Sequence, residues 1–167
     1  NMSREYRIID ELSKNNLKVP KPIFLCTEKD ISDDDFYIME YIEGKTISDN
    51  IEAELLSTDE KITISNSFIE TIADIHNFDV VSSKLEDLGK HQGYVERQLN
   101  RWTKQFEAQK VREIDDLDYA TELLFENIPK QQKISIVHGD YRLDNVRVNN
   151  GSVAAVVDWE LCTIGDP

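Results

Sequence analysis

Three side chains near the C-terminal end of this 167-residue chain carry the chemistry of a phosphate site. Asp140 and Asn145 lie in IVHGDYRLDN (136–145), and Asp158 follows in VVDWE (156–160). Phosphoryl transfer asks little covalent chemistry of a protein. It needs a carboxylate beside the attacking hydroxyl, and hard oxygen ligands to hold a divalent cation over the phosphates. In that scheme Asp140 is the candidate base, and Asn145 and Asp158 are the candidate Mg2+ ligands. Each residue also has a plainer reading: Asp is common in turns and Asn satisfies loop backbone. The case therefore rests on their conjunction after two short apolar runs. Asp158 at the end of such a run, if buried, would be costly without a cation beside it.

The elements that must position these residues are legible from pattern. Residues 3–15 predict a helix, with Tyr6, Ile9 and Leu12 at three-residue steps and Ser3 as its cap. Val19-Pro20-Lys21-Pro22 must then leave the helix, because each proline pushes its predecessor toward extended backbone. Ile23–Thr27 and Phe36–Glu40 read as strands joined by the acidic loop Lys29–Asp35, and Glu43-Gly44 breaks the chain. The clearest helix covers 59–77, with Ile62, Ile69, Ile72 and His76 on one stripe and Phe68 and Ile75 beside it. His76 reads as a packed core residue there. A helix from Tyr94 to Gln109 carries Val95, Leu99, Trp102 and Phe106 on its inner face, and another spans Asp116–Asn127. Ile134–Val137, Val146–Val148 and Val153–Val157 predict short strands, the last two joined tightly through Asn149-Asn150-Gly151. Strands and helices are segregated rather than alternating, so the fold class is α+β. His138 and Gly139, inside the Asp140 loop, read as backbone supports, and Arg142 as either a phosphate contact or a loop salt bridge.

Composition narrows the partners. A formal charge of −14 and a pI near 4.6 argue against nucleic acid or an anionic membrane, which would be repelled without a basic patch. No apolar run approaches the roughly 20 residues that a spanning helix needs. The start, NMSREYRIID, has no secretory apolar core. Cys26 and Cys162 are isolated thiols, which fits a reducing, cytoplasmic setting, and His76, His91 and His138 share no zinc-ligand spacing with them.

The strings FYIMEYIEG (36–44), IADIH (72–76), GYVERQLNRW (93–102), VHGDYRLDN (137–145) and VVDWELCTIGDP (156–167) resemble, in order, the aminoglycoside phosphotransferase-like family of the protein-kinase-like superfamily. The nearest flavour is the domain associated with acyl-CoA dehydrogenases. The resemblance implies a two-lobe kinase-like fold, with residues 1–42 a remnant of the N-terminal lobe and 43–167 an incomplete catalytic lobe. It implies ATP and Mg2+ as cofactors and a small-molecule hydroxyl as acceptor. It matches Asp140 to the catalytic Asp, and Asn145 and Asp158 to the metal ligands. It makes the Glu40 carbonyl and the Ile42 N–H the adenine contacts, with Met39 beside the nucleotide. It matches Glu5 to the helix Glu that pairs with a phosphate-binding Lys.

The chain departs from the family at both ends. The Gly-rich loop and strand Lys of a complete kinase precede the first helix, and here the chain begins about where that helix does. Gly89 and Gly93 follow the hinge and cannot serve as that loop. The expectation is a fragment with little activity by itself. The other functional class in contention is a nucleotide-binding pseudokinase module regulating a partner enzyme; retention of Asp140, Asn145 and Asp158 together counts against it. A metal-dependent phosphoesterase would need a histidine cluster that the sequence lacks. Oligomeric state and the identity of the acceptor are not readable from the sequence.

Overall fold

A computed structural model describes residues 2–167. The order is α1 (Met2–Lys14), β1 (Pro22–Cys26), β2 (Phe36–Met39), α2 (Asn50–Glu54), α3 (Thr58–Asn77), α4 (Tyr94–Gln109), α5 (Asp115–Glu126), β3 (Ser135–Val137), β4 (Val146–Asn149), β5 (Ser152–Val156) and β6 (Thr163–Gly165). The predicted α+β segregation is what forms. The strands pair as three antiparallel two-stranded ribbons, β1 with β2, β4 with β5, and β3 with β6.

Local chemistry explains the joints. The β4–β5 turn puts Asn150 and Gly151 at φ of 49° and 76°, the left-handed pair that a two-residue hairpin demands. Ser57 and Glu60 close a capping box at the start of α3, each satisfying an N–H of the other's end. Ser3, expected as the cap of α1, instead lies inside the helix. After the Gly44 break, Lys45 exchanges backbone bonds of 2.9 and 2.8 Å with Val148, stitching that segment onto β4. Two elements escaped the sequence pattern, α2 and β6; both are too short to develop a period.

The core collects α1 (Ile8, Ile9, Leu12), the inner residues of β3 to β6 (Ile136, Val146, Val153, Val156, Ile164), Ile75 of α3, and Trp159. The buried stripe of α3 differs from the expected one. Ile62 and Ile69 are exposed, at 54% and 62%, while Ile64, Ser67, Thr71 and Ile75 face inward. The reason is a backbone need. β5 presents the Val153 N–H to α3, and the Ser67 hydroxyl accepts it at 2.9 Å. Thr71 in turn donates its hydroxyl to the Ser67 carbonyl at 2.7 Å. Left without a partner, that buried N–H would cost about 1–3 kcal/mol. His76 is half-buried rather than core, and partial desolvation beside Lys133 lowers its pKa.

The face expected to be inner on α4 is only partly covered. Val95, Leu99 and Phe106 are half-buried and Trp102 is 55% exposed, because α4 packs mainly on α5 and the short β6.

Candidate phosphotransfer site

The site is assembled where β3 ends, β4 begins and β5 ends. Beyond β3, Gly139 has a φ of +91°, and a Cβ there would meet the Leu161 carbonyl oxygen at 2.7 Å. Only glycine fits this crossing of the 138–145 loop over the segment after β5. The loop closes in a single 3-10 turn, Leu143–Asn145, and passes into β4.

Asn145 is buried and its side-chain amide is turned onto Asp140. Nδ2 donates to the Asp140 backbone carbonyl at 2.9 Å and to Asp140 Oδ2 at 3.0 Å. The amide oxygen is thereby the end left to act as a ligand. Its backbone carbonyl accepts the Val157 N–H at 2.9 Å, which ties the start of β4 to the residue before Asp158.

His138 completes this frame from inside. Its Nε2–H donates to the Val157 carbonyl at 3.0 Å, and its Nδ1 accepts the Asp140 N–H at 3.3 Å. That pattern fixes the neutral tautomer, and burial lowers the pKa although Asp158, Asp140 and Glu5 all pull it upward. The supporting role expected of His138 is the one it performs. Asp140 and Asn145 are thus in direct contact, and Asp158 is attached to the same frame through Val157.

Asp158 has a φ of +63°, and its side chain is exposed rather than buried at a strand end. The desolvation argument for a cation there does not hold. The left-handed residue turns the chain so that Asp158 faces solvent while Trp159 plunges inward, 1% exposed. The Trp159 ring lies 4.6 Å from that of His138, and its Nε1–H donates to the Val156 carbonyl at 3.0 Å. Arg142 pairs with Asp144 on the surface, the plainer of its two readings. Such exposed pairs contribute little.

Glu5 of α1 is buried, and its Oε1 accepts the Tyr37 hydroxyl at 2.9 Å and the Trp159 N–H at 3.3 Å. Burial and this carboxylate raise the Tyr37 pKa well above the ordinary phenol value. Met39 ends β2 partly exposed, Glu40 is exposed and donates its N–H to the Lys21 carbonyl at 2.8 Å, and Ile42 is half-buried. These residues lie on the β2 side, apart from the Asp140–Asn145 contact in sequence and in bonding.

Sequence reading missed several supports. Tyr141 stacks on Phe68 at 4.1 Å and donates its hydroxyl to the Phe68 carbonyl at 2.7 Å. Arg4 bonds to the turn after Asp158 and Tyr37 to the Glu5 carboxylate that holds Trp159, across long stretches of chain that no local spacing signals.

The signature of the family described as the phosphotransferase enzyme family (APH) matches residues 1–167. The chain belongs to that family. Among curated relatives of this family member, human acyl-CoA dehydrogenase family member 11 is 35% identical over 99% of the chain, and mouse family member 10 is 34% identical over 99%. The chain spans only 22% and 16% of those two proteins. Among solved structures, a candidate aminoglycoside phosphotransferase from Ralstonia eutropha superposes with a TM-score of 0.92 at 36% identity, over 99% of this chain and 51% of that one. The gentamicin complex of APH(2")-IIa superposes with a TM-score of 0.69 at 20% identity, which shows the shared fold alone. The kinase-like fold implied by the sequence motifs is therefore the fold of this family member, over about half the length of its structural neighbours.

Proposed function

We propose that this chain carries the catalytic face of an ATP-dependent small-molecule kinase, moving the γ-phosphoryl group to an acceptor hydroxyl. The observation that carries this reading is the Asn145 amide bonded to Asp140, with Val157 tying Asp158 into the same frame. Asp140 would take the proton of the attacking hydroxyl while the alcohol oxygen adds to the γ-phosphorus and the bond to ADP breaks. The residues fit Mg2+: a carboxamide oxygen and a carboxylate are sparse, hard ligands, leaving room for phosphate oxygens and water. Asn145 and Asp158 would hold it, and when bound it supplies charge neutralisation at the phosphates.

The rest of the assignment follows the family pattern. The Glu40 carbonyl and Ile42 N–H, just beyond β2, would take the adenine edge with Met39 against the ring. Residues 1–42 and 43–167 would form two lobes meeting at that hinge. Glu5 would pair with a phosphate-binding Lys supplied by the parent protein. The relatives' names tilt the acceptor toward a metabolic hydroxyl, and a cytoplasmic setting suits buried, unpaired Cys26 and Cys162.

The test uses the full-length parent protein with Mg2+ and ATP against a panel of hydroxyl metabolites, hydroxyacyl compounds and aminoglycosides. A phosphorylated product that disappears in Asp140→Asn, while nucleotide still binds, supports the kinase. Nucleotide binding without transfer to any acceptor would instead favour the regulatory module, and turnover unchanged by Asp140→Asn would remove Asp140 from the chemistry.

A further inference from the structure

Asp158 holds a left-handed backbone conformation, which residues other than glycine adopt uncommonly. Two residues of the first turn of α1, more than 150 residues away in sequence, bond to the turn that follows it. Glu5 accepts the N–H of Trp159, the peptide that immediately follows Asp158. Arg4, beside it, donates from one nitrogen to the Glu160 carbonyl at 3.4 Å and from the other to the Cys162 carbonyl. One helical turn therefore grips the 158–162 turn through both polarities, a carboxylate on its N–H and a guanidinium on its carbonyls. The turn adds its own closure, the Cys162 N–H donating to the Trp159 carbonyl at 3.1 Å. Tyr37 of β2 fixes the Glu5 carboxylate by donating to the same oxygen that receives Trp159.

We propose that Arg4 and Glu5, with Tyr37 steering the carboxylate, are positioning residues that hold Asp158 in its left-handed conformation and so set the divalent-cation affinity of the site. The proposal rests on Asp158 being a metal ligand. Glu5 acquires a second task beside any Lys partner, and Arg4, which lies outside the family motifs, becomes the cleaner probe.

The experiment uses the full-length parent protein loaded with nucleotide. Mn2+ is titrated in and followed by its paramagnetic resonance, and amide hydrogen exchange is read across 157–163. Arg4→Ala should weaken Mn2+ about tenfold, the scale of losing a charged hydrogen bond. It should also accelerate exchange at 158–162 and leave metal-free nucleotide affinity within about twofold. Arg4→Lys should recover part of both effects. Tyr37→Phe, nearly isosteric, should weaken Mn2+ about threefold and keeps the test open if Arg4→Ala fails to fold. Mn2+ affinity and exchange both unchanged in Arg4→Ala, or in Tyr37→Phe where that variant carries the test, would overturn the clamp. Asp158→Asn separates the two readings. If it abolishes Mn2+ binding while Arg4→Ala does nothing, the clamp falls and the metal site stands. If it leaves Mn2+ binding intact, the metal-ligand reading falls and takes the clamp's function with it.

Discussion

The strand ribbons around Trp159 and the α4–α5 helix pair meet at β6, yet they are built on opposite terms. Around Trp159 the side chains of His138, Ile136, Val156 and Ile164 are essentially fully buried, and the polar atoms among them have partners. Neither α4 nor α5 buries a single residue, and between them lies an open groove of about 700 Å³ lined by Leu99, Trp102, Phe106, Leu117 and Leu124. Both regions carry apolar patterns in the sequence. A period reveals which face of an element seeks cover; it does not reveal whether neighbouring chain supplies it.

The sharpest way to break this contrast begins at the site. In the parent protein, Asp140→Asn should lower the transfer rate about a hundredfold to ten-thousandfold with nucleotide affinity retained, read by product formation and calorimetry. A loss of nucleotide binding of the same size would mean that the 138–145 loop had collapsed instead. Next in size, Trp159→Ala should cost about 3–5 kcal/mol in chemical denaturation of this chain, against less than about 1 kcal/mol for Trp102→Ala. Equal costs for the two tryptophans would erase the distinction between the regions. Gly139→Ala should cost about 1–3 kcal/mol, since a Cβ meets Leu161 at a φ that alanine resists.

The smallest effect concerns acid. His138 is held below its ordinary pKa of 6.5 by burial, so the folded state binds fewer protons than the unfolded chain. Stability should therefore rise with pH up to about 6.5 and decline as pH falls below it. His138→Asn should flatten that decline in denaturation curves taken between about pH 5 and 8. Some slope remains, because His76 is shifted the same way.

The contrast also explains what could be read in advance. The loop and hairpin that carry Asp140, Asn145 and Asp158 were legible because each element is short, apolar and bounded by strong turn residues such as Asn150-Gly151. The role of His138 followed from its place in that loop. Ser67 and Thr71 were not legible as inward residues of α3, because an apolar stripe search discards hydroxyls that exist to satisfy a neighbour's N–H. The exposure of Asp158 was missed for a similar reason: alternation along β5 cannot foresee a left-handed residue at its end. Arg4 and Glu5 meet the 158–162 turn only through the fold.

The thiol of Cys162 gives this architecture a built-in clock. It is 1% exposed, and burial pushes its pKa up to about 12, so in the closed protein an alkylating reagent finds neither access nor thiolate. Its rate of labelling then counts how often the floor beneath Trp159 opens, and does so without any cation, nucleotide or acceptor in the tube.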